Sequence, residues 1–235
     1  MPCKVQLIAH TPDPVAVVAA SAKLCYSDSS AETLFTDLDD ANIARFLDKL
    51  RSSGHMSPFE HASFTFAVDG LSRVASHQLV RHRMASFSQQ SQRYVTMGLP
   101  RVVTPPEIEK NPSAAALFRE QVEASHRAYE RMVSLGVPKE DARFILPHGW
   151  ETSLVMTMNA RELHHFFSLR LCKRAQWEIR EMGRLILAEV LEVAEALFTL
   201  AGPSCITSGK CREVHSCGKP YVNMRELISG ESDRS

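Results

Sequence analysis

The chain has 235 residues, 27 lysines and arginines against 27 aspartates and glutamates, and 44% hydrophobic residues. That length fits one large domain or two small ones with a substantial core, and the composition excludes disorder as the main state. A formal charge of zero excludes a protein that holds nucleic acid by overall basicity.

In chain order, Cys3 to Ile8 alternates weakly and predicts a first strand. A helix rich in Ala and Val follows from about Asp13 to Tyr26. Asp37 to Ser53 is a clearer helix, with Ile43, Phe46, Leu47 and Leu50 at the i, i+3, i+4, i+7 spacing and Gly54 as its stop. Ser63 to Asp69 alternates Phe64, Phe66 and Val68 against Ser63, Thr65 and Ala67, a half-buried strand. Ser72 caps a helix carrying Val74, Ala75 and Leu79 as far as Val80. Phe87 to Val95 is polar and extended, with no helical stripe.

Pro112 opens a long helix to about Leu135, ended by Gly136 and followed by Pro138. A short helix runs from Lys139 to Leu146 and stops at Pro147. Thr152 to Met158 predicts a short strand. Asn159 and Glu162 have the spacing of a capping box, in which Glu162 reaches back to the backbone of Asn159. The helix they open carries Leu163, Phe166, Phe167 and Leu171. Trp177 to Leu200 is the last long helix. Its Glu189, Glu192 and Glu195 make it amphipathic, and no stretch of the chain reads as a bilayer span. The organisation expected is one α+β domain over 1–203 and a polar, loop-like tail over 204–235.

The first residues lack a charged start, an apolar core and a small-residue cleavage site, so no secretion is implied. Six cysteines are too sparse for a disulfide scaffold, which favours a cytoplasmic location with reduced thiols. Cys3, Cys25 and Cys172 read as buried small hydrophobes. In the tail, Cys205, Cys211 and Cys217 lie near His215. Those residue types can ligate zinc, but the spacings are not Cys-x2–4-Cys, and free thiols or a packed loop is the expected state, with no metal.

Charge concentrates in one strip. Gly70 to Pro106 holds Arg73, Arg81, Arg83, Arg93 and Arg101, with His77 and His82, and no Asp or Glu. It continues into Ser86, Ser88, Gln89, Gln90, Ser91 and Gln92. Arginine forks with hydroxyl and amide groups suit a phosphate and a planar polar base, so a small nucleotide is expected. None of the ten glycines forms a Gly-x-Gly pair, which excludes a Rossmann fingerprint and a P-loop. Side chains must then hold any phosphate. An RNA-binding protein could use the same strip, but only Phe87 and Tyr94 within it offer rings for stacking.

Four blocks stand in order over roughly residues 50–190. They are Gly54-His55-Met56-Ser57-Pro58-Phe59-Glu60-His61; Arg81-His82-Arg83 with Ser91 after seven residues, then Arg93; Gly136-Val137-Pro138 through Ala142-Arg143 and Leu146-Pro147; and Asn159-Ala160-Arg161 with Leu169-Arg170 and Ala175-Gln176-Trp177-Glu178-Ile179. Together they resemble the flavin-dependent thymidylate synthases.

The resemblance implies an antiparallel sheet flanked by helices, a non-Rossmann flavoprotein, assembled as a homotetramer. It implies conversion of dUMP to dTMP with methylenetetrahydrofolate as one-carbon donor, FADH2 as hydride donor and NADPH reducing the flavin. By position, His55, Ser57, Arg81, His82, Arg83, Asn159, Arg161 and His165 would contact FAD, His165 replacing an Asn found in some members. Gln78, Arg81, Ser91 and Arg93 would hold dUMP with the backbone of Gln90 and Gln92, and Arg143 would meet its phosphate or sugar. Gln89, where some members have Glu, would lie between flavin and substrate. Arg170 would sit at the uracil edge as the catalytic cation. Nothing implied involves nucleic acid or a membrane.

Independently of the family, a fixed cation beside uracil N3 and its carbonyl favours the ionised ring and so activates C5. Ser91 has no base near it in sequence, and no cysteine lies in the motif region, so no covalent protein nucleophile is expected.

Overall fold

The computed structural model describes residues 3–36 and 40–230. Its elements in chain order are β1 (Lys4–His10), α1 (Pro14–Leu24), α2 (Ala31–Thr36), α3 (Asp40–Ser52), a 3-10 turn (Ser57–His61), β2 (Ser63–Ser72), α4 (Arg73–Leu79), β3 (Ala85–Gln89), α5 (Pro106–Glu109), α6 (Pro112–Ser134), α7 (Lys139–Ala142), a second 3-10 turn (Arg143–Ile145), β4 (Glu151–Asn159), α8 (Ala160–Arg170), α9 (Trp177–Phe198), α10 (Ser204–Thr207) and α11 (Met224–Ser229). The strands form a four-stranded antiparallel sheet in the order β1-β2-β4-β3, with flanking helices. This is the α+β class expected.

The chain divides into two compact units. The first takes Val68–Arg81 and Ser88–Leu154 with the residues at 3–4; the second takes Val5–Ala67, His82–Phe87 and the chain from Val155 onward.

In the second unit the period-two pattern works as read. Phe64 and Phe66 are wholly buried, while Ser63 and Thr65 lie on the other face, where Thr65 Oγ1 meets Thr157 Oγ1 at 2.9 Å. Met156, Met158 and Met182 are buried core residues. α8 packs on α9, and Leu163, Phe166 and Phe167 of the one and Met182, Ile186 and Leu187 of the other are fully buried. Gly183 lets α8 approach: a Cβ there would stand 3.0 Å from Leu171 Cδ2. α3 buries Ile43, Leu47 and Leu50; positions 37–39 of the expected helix lie outside the described residues. Glu189, on the acidic face of α9, accepts a hydrogen bond from Leu7 N–H at 2.7 Å.

The first unit has its own cluster of Met97, Tyr129, Ala142, Leu146 and Trp150. His126 stacks on Trp150 at 5.6 Å and donates from Nε2 to Met97 O at 2.8 Å. Asn111 caps α6 and Gly136, at φ 88°, lets its C-terminus turn, with Val137 N–H donating to Met132 O.

Four expectations need correction. The tail is not all loop, because α10 and α11 form in it, the latter capped by Asn223 Oδ1 on Glu226 N–H. Lys139 to Leu146 is two short pieces, not one helix. Cys25 is exposed, and Cys3 and Cys172 are only partly buried. Glu162 does not reach back to Asn159; its carboxylate is used elsewhere.

Candidate active site

The expected site residues sort by unit. Gln78, Arg81, Gln89, Gln90, Ser91, Gln92, Arg93 and Arg143 fall in the first, and His55, Ser57, His82, Arg83, Asn159, Arg161, His165 and Arg170 in the second.

The centre of the second set is a buried relay. Asn159 ends β4 and caps α8, its Oδ1 accepting from Glu162 N–H at 2.9 Å. The cap turns Glu162 inward, where its Oε1 accepts from His82 Nδ1 at 2.9 Å. On the other side of the ring, Arg170 Nε donates to His82 Nε2 at 3.1 Å. Nε2 must therefore carry a lone pair and Nδ1 the proton, so His82 is the neutral Nδ1–H tautomer. Burial lowers its pKa, Arg170 and His165 acting the same way and Glu162 against them. Phe166 closes on the ring edge at 5.0 Å and His165 at 5.6 Å.

Arg170 is the last residue of α8, where a cation also meets the negative end of the helix. Partial burial lowers its pKa, but a guanidinium stays charged at neutral pH. His82, Glu162 and His165 have ligand-type atoms within 4.8 Å of one another. Both His82 nitrogens are already committed, one to Arg170 and one to Glu162, which argues against a metal there.

Around this relay the remaining groups are more exposed. Arg161 pairs with Glu60, and His55 Nδ1 meets Tyr26 OH at 3.3 Å. Ser57 opens the 3-10 turn, and Arg83 is exposed with no ion pair among the described residues.

In the first unit Gln90 is fixed at both ends of its peptide. Its N–H donates to Ser153 O at 2.9 Å, and its carbonyl accepts from Arg73 Nη2 at 2.7 Å. Gln89 Nε2 donates to Thr152 Oγ1 at 3.2 Å. Ser91 Oγ accepts from Arg93 N–H at 3.2 Å, and Arg93 Nε pairs with Glu140 at 2.8 Å. Gln78 is half-buried and Arg81 exposed at the end of α4; Gln92 is half-buried beyond Ser91. Arg143 Nε donates to Glu140 O at 3.0 Å.

Two residues gain importance that sequence left in the background. Glu162 is one. The other is Arg73, whose Nε is buried with no hydrogen-bond partner among the described residues and whose pKa is lowered by burial and then by Arg143. Two guanidinium groups that repel each other beside a pinned backbone favour an anion between them. The acid-free run that contains Arg73 was the available signal.

Residues 6–195 match the family described as "Thymidylate synthase complementing protein". Over 220 residues the chain is 51% identical to the flavin-dependent thymidylate synthase of Geobacter sulfurreducens, covering 92% of this chain and 94% of that protein. The chain belongs to the flavin-dependent thymidylate synthase family. It is also 46% identical to the flavin-dependent thymidylate synthase of Clostridium tetani over 236 residues, covering 93% and 94% of the two chains. The fold matches a solved structure of the UMP/dUMP methylase PolB from Streptomyces cacaoi with 5-Br dUMP bound, at a TM-score of 0.75 and 24% identity, over 83% of this chain and 92% of that one.

A flavin fits the donor set by its chemistry. In the second unit Arg83 is an exposed guanidinium without an acid partner among the described residues, the kind of group that pairs with a phosphate, and His55, Ser57 and His165 are exposed polar groups.

Proposed function

We propose that the protein methylates dUMP to dTMP, taking the one-carbon unit from methylenetetrahydrofolate and the hydride from FADH2 that NADPH has reduced. The observation that carries this is the setting of Arg170, whose Nε bonds a neutral His82 backed by Glu162.

A guanidinium so bonded cannot rotate freely about its last bonds, and in this reading its charge serves uracil N3 and the adjacent carbonyl. Negative charge developing on that edge is stabilised without reorganisation, and electron density reaches C5. Arg170 keeps its own proton throughout. FAD, when bound and reduced, supplies the hydride.

Gln78, Arg81, Gln89, Ser91, Arg93, Arg143 and the backbone of Gln90 and Gln92 hold dUMP. His55, Ser57, Arg81, His82, Arg83, Gln89, Asn159, Arg161 and His165 hold FAD. Ser91 serves as a ligand; no histidine or carboxylate among the described residues bonds its hydroxyl, and a hydroxyl without a base is a weak nucleophile. The same proposal includes a homotetramer, a cytoplasmic setting, a single functional domain over 1–203 and no nucleic-acid or membrane partner. No helix among the described residues is long and apolar enough to cross a membrane.

Purified protein should be yellow, or become so with FAD, and dUMP should perturb the flavin spectrum. Arg170→Ala should abolish dTMP formation while retaining FAD. A preparation that cannot take up FAD overturns the enzyme reading, and near-normal turnover in Arg170→Ala overturns the role of the cation.

A further inference from the structure

Cys172 lies in the turn after α8, two residues beyond Arg170. Cys205 is in α10, and Cys211 and Cys217 follow in the segment that leads to α11. All four line one cavity of about 20 Å³, with Lys173 and Glu213 also in its wall. Cys205, Cys217 and Glu213 all act electrostatically on Cys172, which reflects the same convergence. The tail's His215 is exposed and takes no part in that wall; Cys172, 33 residues before Cys205, supplies the fourth soft donor.

Between α10 and α11 there is no helix or strand, and from residue 207 to 220 every residue except Cys217 is exposed. A segment that buries so little has little hydrophobic reason to bring Cys211 and Cys217 to the wall that Cys172 and Cys205 share. The ties that hold it to the rest of the unit include Arg212 N–H to Ser204 Oγ at 3.0 Å and Arg174 to Glu213 at 3.3 Å, both exposed. Exposed ties of this kind contribute little.

We propose that Cys172, Cys205, Cys211 and Cys217 bind one thiophilic divalent ion, zinc by its ligand preference, which staples the tail to the turn after α8. Four thiolates are a structural zinc set. A cavity of this size holds one water-sized body and leaves no room for an iron–sulfur cluster. Among the described residues, no three of these sulfurs lie within 4.8 Å of one another. Binding therefore draws them inward by side-chain rotation, with loss of the thiol protons to solvent. Lys173 in the wall, and Lys210, Arg212 and Lys219 against the single acid Glu213 in the loop, offset the excess negative charge of the loaded site. The proposal is independent of the activity proposed above.

The test is elemental analysis of the full chain purified under reducing conditions, with zinc expected at about one per chain. Cys211→Ser, in the exposed loop, and Cys205→Ser should each lose it, while Cys25→Ser, in α1's exposed C-terminal turn, should keep it. Replacing the metal with cobalt(II) should give a thiolate-to-cobalt charge-transfer band that Cys211→Ser lacks. The proposal is overturned by zinc retained undiminished in both serine variants, or by metal-free protein that develops no cobalt band. Iron with acid-labile sulfide, or a disulfide among the four found by mass spectrometry of unreduced protein, overturns it as well.

Discussion

Glu162 Oε1 accepts a hydrogen bond from His82 Nδ1 at 2.9 Å, across 80 positions of sequence. Its place three residues after a capping Asn suits it to a local bond with the backbone. A buried imidazole without a partner would cost more than that local bond contributes, so the long-range pair wins.

Glu162→Ala should therefore destabilise the protein by about 1–3 kcal/mol, the loss expected for a buried polar group left unpaired. It should also lower kcat, because the ring is free to change tautomer and Arg170 loses its acceptor. Glu162→Gln keeps an acceptor for Nδ1–H and should recover most of both. Equal loss of kcat in the two variants, measured alongside thermal unfolding, would mean that the charge of Glu162 matters beyond holding the ring.

Asn159→Ala should cost about 1 kcal/mol through loss of the cap on α8, and Asn159→Asp should restore it. Chemical denaturation reads this directly, in the absence of flavin. A stable alanine variant would show that the first turn of α8 is held by packing alone.

His164 sets an acid limit on stability. Its ring stacks on Phe198 at 5.3 Å and donates from Nε2 to Leu197 O at 2.9 Å, and burial, aided by Arg51 and opposed by that bond, brings its pKa down to about 4. An unfolded histidine titrates near 6.5, so between the two values the unfolded chain binds more protons and stability falls as pH falls. Above about 6.5 the contribution is complete, and by pH 4 roughly 3 kcal/mol is gone. His164→Phe should be less stable than wild type at pH 7, where it forfeits the bond to Leu197, and should close that gap by pH 4. Parallel stability curves for the two proteins would contradict this.

Arg73→Lys should raise the KM for dUMP by about tenfold with little change in kcat, since lysine lacks the fork that pins Gln90 O. Inorganic phosphate or dUMP should raise the melting temperature of wild type more than that of the variant. An unchanged KM would remove Arg73 from the substrate side.

Much of this was legible in sequence. The alternation in β2, the short strand expected at β4, the stripes of α3 and α8, the caps at Ser72 and Asn159, the start of α6 at Pro112 and its stop at Gly136 are local signals, and local signals survive folding. What escaped depended on distance along the chain. Glu162 looked committed to its own helix, and Arg73 was one arginine among five. Cys172 could not be grouped with the tail cysteines by any spacing rule. α10 and α11 are too short to show a period, with only four and six residues.

The strip from Gly70 to Pro106 contains no acid of its own, and other segments answer it at only a few points. Glu140 meets Arg93 and Glu162 meets His82, while Arg73, Arg81 and Arg83 find no carboxylate among the described residues. Small ions of the medium will compete for those guanidiniums, and screening grows with ionic strength. On the proposed role of these arginines, phosphate buffer should act as a rival ligand, and apparent substrate affinity should depend on the choice of salt.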